Sequence, residues 1–424
     1  MNKFIFYSFI AYFSGLCWAQ NYDYSYLGDT SSYNGSPLFG VCMMGGATEN
    51  DAGSEWFLNR ADGGNVLVLR ASGTDAYNDY FYNQLNSNIQ SVETIIFQSA
   101  AASTNPFILS RIEAAEAIWI AGGDQSVYEN YWKSTPVANR INTHVNIKKR
   151  PIGGTSAGMA ILSEHYFSAS NGTISSATAL SDPTHPTITI NSQFLKVPFL
   201  ENTITDTHYD NPDRRGRHAV FLAQLLVEND TMKYGIAAEE YVAICINESG
   251  VARIFGDHPN YEDYAWFLRV NCELIPPTAM SAGNPLQWSP DKRAIQACKI
   301  PGTSNGDPQF DLTNWKNIQG GQWEDWSIDA GNLNTELSTR VDCSLLSSSA
   351  EKGEKLKVQI DKELQQIIIQ HQDPSVSVYI NNSLGQLVHA SDDLQPITIQ
   401  SWPPGVYQVR VVTKERVFNE CIAL

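Results

Sequence analysis

From about residue 38 the chain alternates short apolar runs with helical stretches, and this alternation constrains the fold more than any other feature. "LFGVCMMGG" reads as a buried strand ending in glycines, and "EWFLNRADGG" as a helix closed by a Gly pair. "NVLVLRASG", "VETIIFQSA" and "AIWIAGG" read as three further strands, and one more follows the helical "SVYENYWKSTPVANRIN". Strands that alternate with helices build βαβ units. The expected fold class is therefore α/β, a mostly parallel sheet flanked by helices. In such sheets chemistry collects beyond the carboxyl ends of the strands. Three strands end there in small-residue turns: Met44-Gly45-Gly46-Ala47, Ala121-Gly122-Gly123-Asp124 and Gly153-Gly154-Thr155-Ser156.

The 424 residues exceed one average domain. Residues 1–19 carry one Lys, a short apolar run and Cys17-Trp18-Ala19, the pattern of a cleaved export signal. Residues 20–345 are expected to form the catalytic domain. Its core is 38–265, and 266–340 is a Trp-rich, strand-rich elaboration packed on the main sheet. The polar stretch 346–357 reads as a linker. Residues 358–424 alternate as a small antiparallel, β-sandwich-like module. Export implies a secreted or cell-surface protein. No CxxC pair suggests zinc. Cys42 and Cys245 lie in apolar runs and read as buried thiols, whereas Cys272, Cys298 and Cys343 are the disulfide candidates. A net charge of −17 argues against nucleic acid or an anionic membrane as partner.

The chemistry centres on "PIGGTSAGMAIL" (151–162). A strand, a small-residue turn, Ser156 and then a helix make a sharp elbow that exposes a nucleophile. Bulky neighbours would clash in that strained turn. The Ala157 N–H stands next to the hydroxyl, where a developing oxyanion needs a donor. A serine needs a base, and His208 is the candidate, at the end of a short strand beside Asp206. His165 is expected two to three turns along the helix that follows Ser156, pointing away. The acid follows in "YGIAAEEYVAICI", where Glu239 and Glu240 interrupt an apolar run. A charge there is costly unless paired, and either glutamate could orient His208. Asp206, His208, Asp210 and Asp213 crowd one loop and imitate a metal cluster, but the serine account is the better one.

Together these stretches resemble cyanophycinases and the related peptidase E-like serine peptidases, family S51, whose fold is that of class I glutamine amidotransferases. The resemblance covers roughly residues 38–265. Gly154-Thr155-Ser156-Ala157-Gly158 matches the family elbow, and Gly122-Gly123-Asp124-Gln125 its Gly-Gly-Asp/Asn-Gln turn. Asp206-Thr207-His208-Tyr209 matches Asp-Gln-His-Phe, Arg214, Gly216 and Arg217 fall on family positions, and "GIAAEE" matches Gly-Ile-Gly-Ile-Asp-Glu. The resemblance implies a triad of Ser156, His208 and Glu240, with Glu239 in reserve. It implies an oxyanion hole from Ala157, Gly122 and Gly123, and substrate contacts from Gln125, Asp206, Arg214 and Arg217. It implies hydrolysis of a peptide or β-aspartyl isopeptide bond through an acyl-enzyme, with no metal or organic cofactor, and a homodimer. An inert binding protein on this fold, or an esterase or amidase with the same triad, are the rival readings. Thr207 and Pro212 depart from the family pattern in the substrate region. The final module, with Leu384-Gly385-Gln386 and Pro404-Gly405-Val406-Tyr407, resembles the sorting domain of proteins exported by the type IX secretion system of Bacteroidetes. That resemblance implies the secretion machinery as a partner.

Overall fold

Five strands run parallel at the centre of the first sheet, in the order Ser91–Phe97, Asn65–Arg70, Ala117–Ile120, Ile152–Thr155 and Gly40–Met44. Their residues are mostly apolar because both faces are covered, and the buried Glu93 is paired with Arg111. Successive side chains point to opposite faces, and the packing follows that alternation. Val41, Met43, Leu67, Leu69, Ile118 and Ile120 join one core with the helices Pro106–Ala114 and Pro136–Asn146. Cys42, Met44, Val66, Val68, Ala117 and Trp119 join another with the helix Asp51–Asn59. The class is α/β, a mixed sheet with a parallel centre flanked by helices.

The protein is described here from a computed structural model. It describes residues 21–338 except 86, and 357–423 except 362–364, 371–376, 383–386, 392 and 413–416. The export signal, most of the 346–357 linker, Cys343 and Leu384-Gly385-Gln386 lie outside the described residues. The chain divides into two units, Met1–Val341 and Asp342–Leu424.

Among the described residues of the first unit, one sheet has ten strands and a second has eight. The first sheet begins before the expected start of the core, because Tyr22–Gly28 pairs antiparallel with Ser91–Phe97 at its edge. Beyond Gly40–Met44 it continues with the antiparallel strands Ala243–Asn247, Val251–Phe255, Gln309–Asp311 and Ile318–Gln319. The Trp-rich region is thus not packed on one sheet as an irregular layer. Its strands extend both sheets through their hydrogen-bonded edges. Tyr264–Val270, Ile295–Pro301, Gln322–Asp329 and Asn332–Leu337 form consecutive members of the second sheet. Trp266, Trp288 and Trp326 are buried with the helix Arg215–Asn229, while Trp315 and Trp323 join the first core. Cys298 is a buried free thiol, not a disulfide partner, whereas Cys272 is disulfide-bonded.

The second sheet also contains Tyr234–Ala238, Thr203–Asp206 and His165–Phe167, which run parallel to one another. The ends of the first two deliver the histidine and glutamate segments. In the second unit, two antiparallel sheets enclose a core that includes Ile367, Val378, Ile380 and Val409.

Candidate active site

Ser156 sits between the strand Ile152–Thr155 and a single helical turn, Ala157–Ala160, with φ 51° and ψ −116°. A non-glycine residue in that region stores about 1–3 kcal/mol of strain, which the surroundings must hold in place. The small neighbours are required by contact. A Cβ on Gly158 would come within 2.0 Å of Ile120 O, and one on Gly154 within 2.7 Å of the Gly158 carbonyl carbon. The helix is shorter than expected. His165 lies not on it but on the strand His165–Phe167, whose pairing with Thr203–Asp206 overrides the helical pattern. It stands beside Lys233 Nζ at 3.1 Å, away from the serine.

Ser156 Oγ lies 2.9 Å from His208 Nε2, and His208 Nδ1 lies 2.7 Å from Glu240 Oε1. The nucleophile comes from the first sheet and its two partners from the second. Thr203–Asp206 and Tyr234–Ala238 are neighbouring parallel strands, so the loops at their carboxyl ends emerge side by side. Glu240 also accepts from Asn211 Nδ2 at 3.3 Å, and its backbone N–H donates to Asp210 Oδ1. Burial disfavours the Glu240 carboxylate, but the His208 and Asn211 hydrogen bonds outweigh it and hold the acid below its ordinary range. Glu239 turns the opposite way. Its carboxylate accepts from Trp266 Nε1 at 2.9 Å and from the Tyr264 N–H at 2.8 Å. Burial pushes it up to about 7. Of the two glutamates, Glu240 is the one in contact with the imidazole.

One element went unassigned in the sequence. The turn after Gly40–Met44 accepts a backbone hydrogen bond at each of three consecutive carbonyls. Ser156 N donates to Met44 O at 3.0 Å, His208 N to Gly45 O at 2.8 Å and Tyr241 N to Gly46 O at 3.2 Å. The Gly pair at the strand end was the visible signal. Its partners are distant in sequence.

Two open pockets meet at the Ser156–His208 pair. One, of ≈ 390 Å³, also involves Gly123, Gln125, Ala157, Thr207 and Arg214. The other, of ≈ 370 Å³, involves Gly46, Glu49, Arg70, Tyr77 and Gly122. A Cβ on Gly122 would lie 3.6 Å from Ser156 Cβ, so this turn flanks the serine directly. Gln125 Nε2 donates to Phe167 O at 3.3 Å, while Arg214 Nη1 donates to Thr207 O at 2.8 Å.

Asp206 is not a substrate contact. It is only 3% exposed and is engaged at both oxygens by Arg217, itself 4% exposed. Arg217 reaches the wall of the larger pocket, but its guanidinium is committed to Asp206, Thr173 and Ile174 O. Arg214 is the less buried cation on that side, with a looser 3.8 Å approach to Asp206. The imitation of a metal cluster also dissolves, since Asp206 pairs with Arg217 and Asp213 with Arg215. Among the described residues no three His, Cys, Asp or Glu side chains converge as a metal site.

Residues 68–254 match the model of peptidase family S51. A cyanophycinase from Geminocystis herdmanii (strain PCC 6308) is 26% identical over 145 residues, 34% of this chain and 48% of its own length. A cyanophycinase from Synechococcus elongatus is 23% identical over 224 residues, 51% of this chain and 65% of its own. The chain thus spans about half to just under two thirds of these relatives. A solved peptidase from an acI-B1 Actinobacterium aligns with a TM-score of 0.39 at 14% identity, over 59% of this chain and 96% of that one. Ser156, His208 and Glu240 all fall within the matched segment, over which the chain is similar to peptidase family S51.

Proposed function

We propose that this chain is a serine peptidase that hydrolyses a peptide or β-aspartyl isopeptide bond through an acyl-enzyme. The observation that carries the reading is the unbroken line from Ser156 Oγ through His208 to Glu240. The Ser156 oxygen attacks the carbonyl carbon, and its proton passes to His208 Nε2. Glu240, ionised and hydrogen-bonded to Nδ1, holds the tautomer and supports the imidazolium. N–H groups of Ala157 and of the Gly122–Gly123 turn border the space where the oxyanion develops. The C–N bond breaks, and the leaving amine takes the proton from His208. A water then gives its proton to His208 and attacks the acyl carbon, and the proton returns to Ser156 as the acid departs.

The two pockets that meet at Ser156 suit the two halves of such a substrate. Arg214 is the cation available to a carboxylate on the acyl side, which favours an acidic residue there. Similarity to cyanophycinases supports a β-aspartyl substrate, and Thr207 and Pro212 mark where selection would differ. From the N-terminal segment and the final module we infer export through a type IX machinery, and from the family resemblance a homodimer. Mass analysis of the exported protein's N-terminus and light scattering test these two points.

The decisive experiment incubates purified protein and a Ser156→Ala control with a fluorophosphonate, cyanophycin, β-aspartyl peptides and simple esters. Labelling of Ser156 together with release of aspartyl dipeptides supports the proposal. Ester turnover without peptide release would move the chain to the esterases, and failure to label would leave an inert fold.

A further inference from the structure

We infer that Gly46 is a positioning residue for His208, and that the Met44–Gly46 turn is a joint that helps keep the two halves of the triad in reach of each other. This rests on the reading of Ser156 and His208 as the reacting pair. The serine belongs to one sheet and the histidine and glutamate to another, so their separation depends on how the sheets meet. This turn is one place where they meet; Thr205 Oγ1 donating to Ala160 O at 3.1 Å is another. The strand Gly40–Met44 lies beside the serine strand, and Gly45 N donates to Val242 O at 3.1 Å, just after the glutamate. A Cβ on Gly45 would stand 2.0 Å from Glu239 O, so the second sheet's loop presses directly on this backbone.

Gly46 meets the imidazole itself. With φ +114° it occupies a conformation that side chains rarely adopt. A Cβ there would lie 2.4 Å from both Cε1 and Nε2 of His208 and 3.1 Å from Cδ2, and no other group is nearer. Ordinary contact begins at 3.4 Å, so an added methyl requires the ring to retreat by 1.0 Å, the difference between 3.4 and 2.4 Å. The ring would leave the 2.9 Å contact with Ser156 Oγ. A displacement of about 1 Å at a reacting pair can cost about 100-fold in rate. Gly46 borders the smaller pocket and not the larger one with Gln125 and Arg214, so a substrate held by the larger pocket alone would still bind. For such a substrate the signature is a fall in kcat with KM retained.

The test is a double-mutant cycle on the full chain, read as the rate of fluorophosphonate labelling of Ser156 and as kcat and KM on an aspartyl substrate with a small leaving group, held by the larger pocket. Gly46→Ala should slow labelling about 100-fold with KM changed less than about twofold. In a His208→Ala background the same substitution should alter labelling by less than about twofold, because the ring it displaces is gone. Wild-type rates in folded Gly46→Ala would overturn the inference, as would an equal loss in both backgrounds. If Gly46→Ala does not fold, the double variant must regain a cooperative thermal transition. Its failure to do so would mean that the ring is not what Gly46 accommodates, and the inference falls. Absence of labelling in the wild type would instead remove the serine peptidase reading itself.

Discussion

Arg217 grips Asp206 at two points beneath the serine cleft, with Nε donating to Oδ2 at 2.8 Å and Nη2 to Oδ1 at 2.5 Å. Asp206 ends the strand that leads to His208 two residues later, so the pair anchors the base from below. Burial alone would raise the Asp206 acid, but Arg217 outweighs it and holds the carboxyl below 3.8. Removing one partner from a buried pair costs about 3–5 kcal/mol. Asp206→Ala should lower stability by that order in urea denaturation at pH 7. In the parent, this stabilisation is present above the ordinary carboxylate value and is lost as pH falls through the depressed native one. The variant should lack that acid-side loss.

Glu239 carries the opposite linkage. Its native acid is raised from 4.5 to about 7. The protonated form is therefore favoured by folding, and the stabilisation is complete below 4.5 and lost as pH rises through about 7. The difference corresponds to about 3 kcal/mol. Glu239→Gln should flatten the slope of stability against pH across that window in parallel urea titrations. A slope equal to the parent's would assign the linkage to another group.

The two adjacent glutamates should separate sharply in activity. Glu240→Gln leaves His208 Nδ1 facing an amide, and a comparable change in another triad lowers kcat by about 10⁴. A fall in labelling rate of about 10³–10⁴ is expected for this variant. Glu239→Gln should stay within about twofold, since its carboxylate faces Trp266 and the Tyr264 N–H. Rates of fluorophosphonate labelling at fixed pH compare them directly.

Arg214 should show in binding rather than in chemistry. Arg214→Ala removes a charged hydrogen-bond donor from the larger pocket, worth about 1.5–3 kcal/mol to a carboxylate. KM for aspartyl substrates should rise by about 10- to 100-fold, with a smaller change in kcat. Peptides lacking the acidic side chain should be little affected. An equal loss on both substrate types would reassign Arg214 to holding the Thr207 carbonyl.

Much of the parallel centre was legible in the chain. A strand buried on both faces is largely apolar, and the runs 41–44, 66–69 and Ala117–Ile120 advertise this locally. Ser156 was legible for a similar reason, because its strained backbone excludes bulk within two residues. The antiparallel extensions were not, since strands such as Gln309–Asp311 and Ile295–Pro301 choose partners through contacts remote in sequence.

By itself, then, the sequence determined the α/β class, the elbow, and a histidine and two glutamates at strand ends, because short-range sterics and burial dictate these. Which glutamate meets the ring was decided only by the tertiary fold. The chain turns just past the strand Tyr234–Ala238, and there the indole of Trp266 claims Glu239 while His208 takes Glu240. The fate of Asp206 was likewise set by docking the helix Arg215–Asn229 behind its strand, which brings Arg217 to it. The seat of His208 on Gly46 exists only where two sheets meet, and neither segment encodes that distance alone.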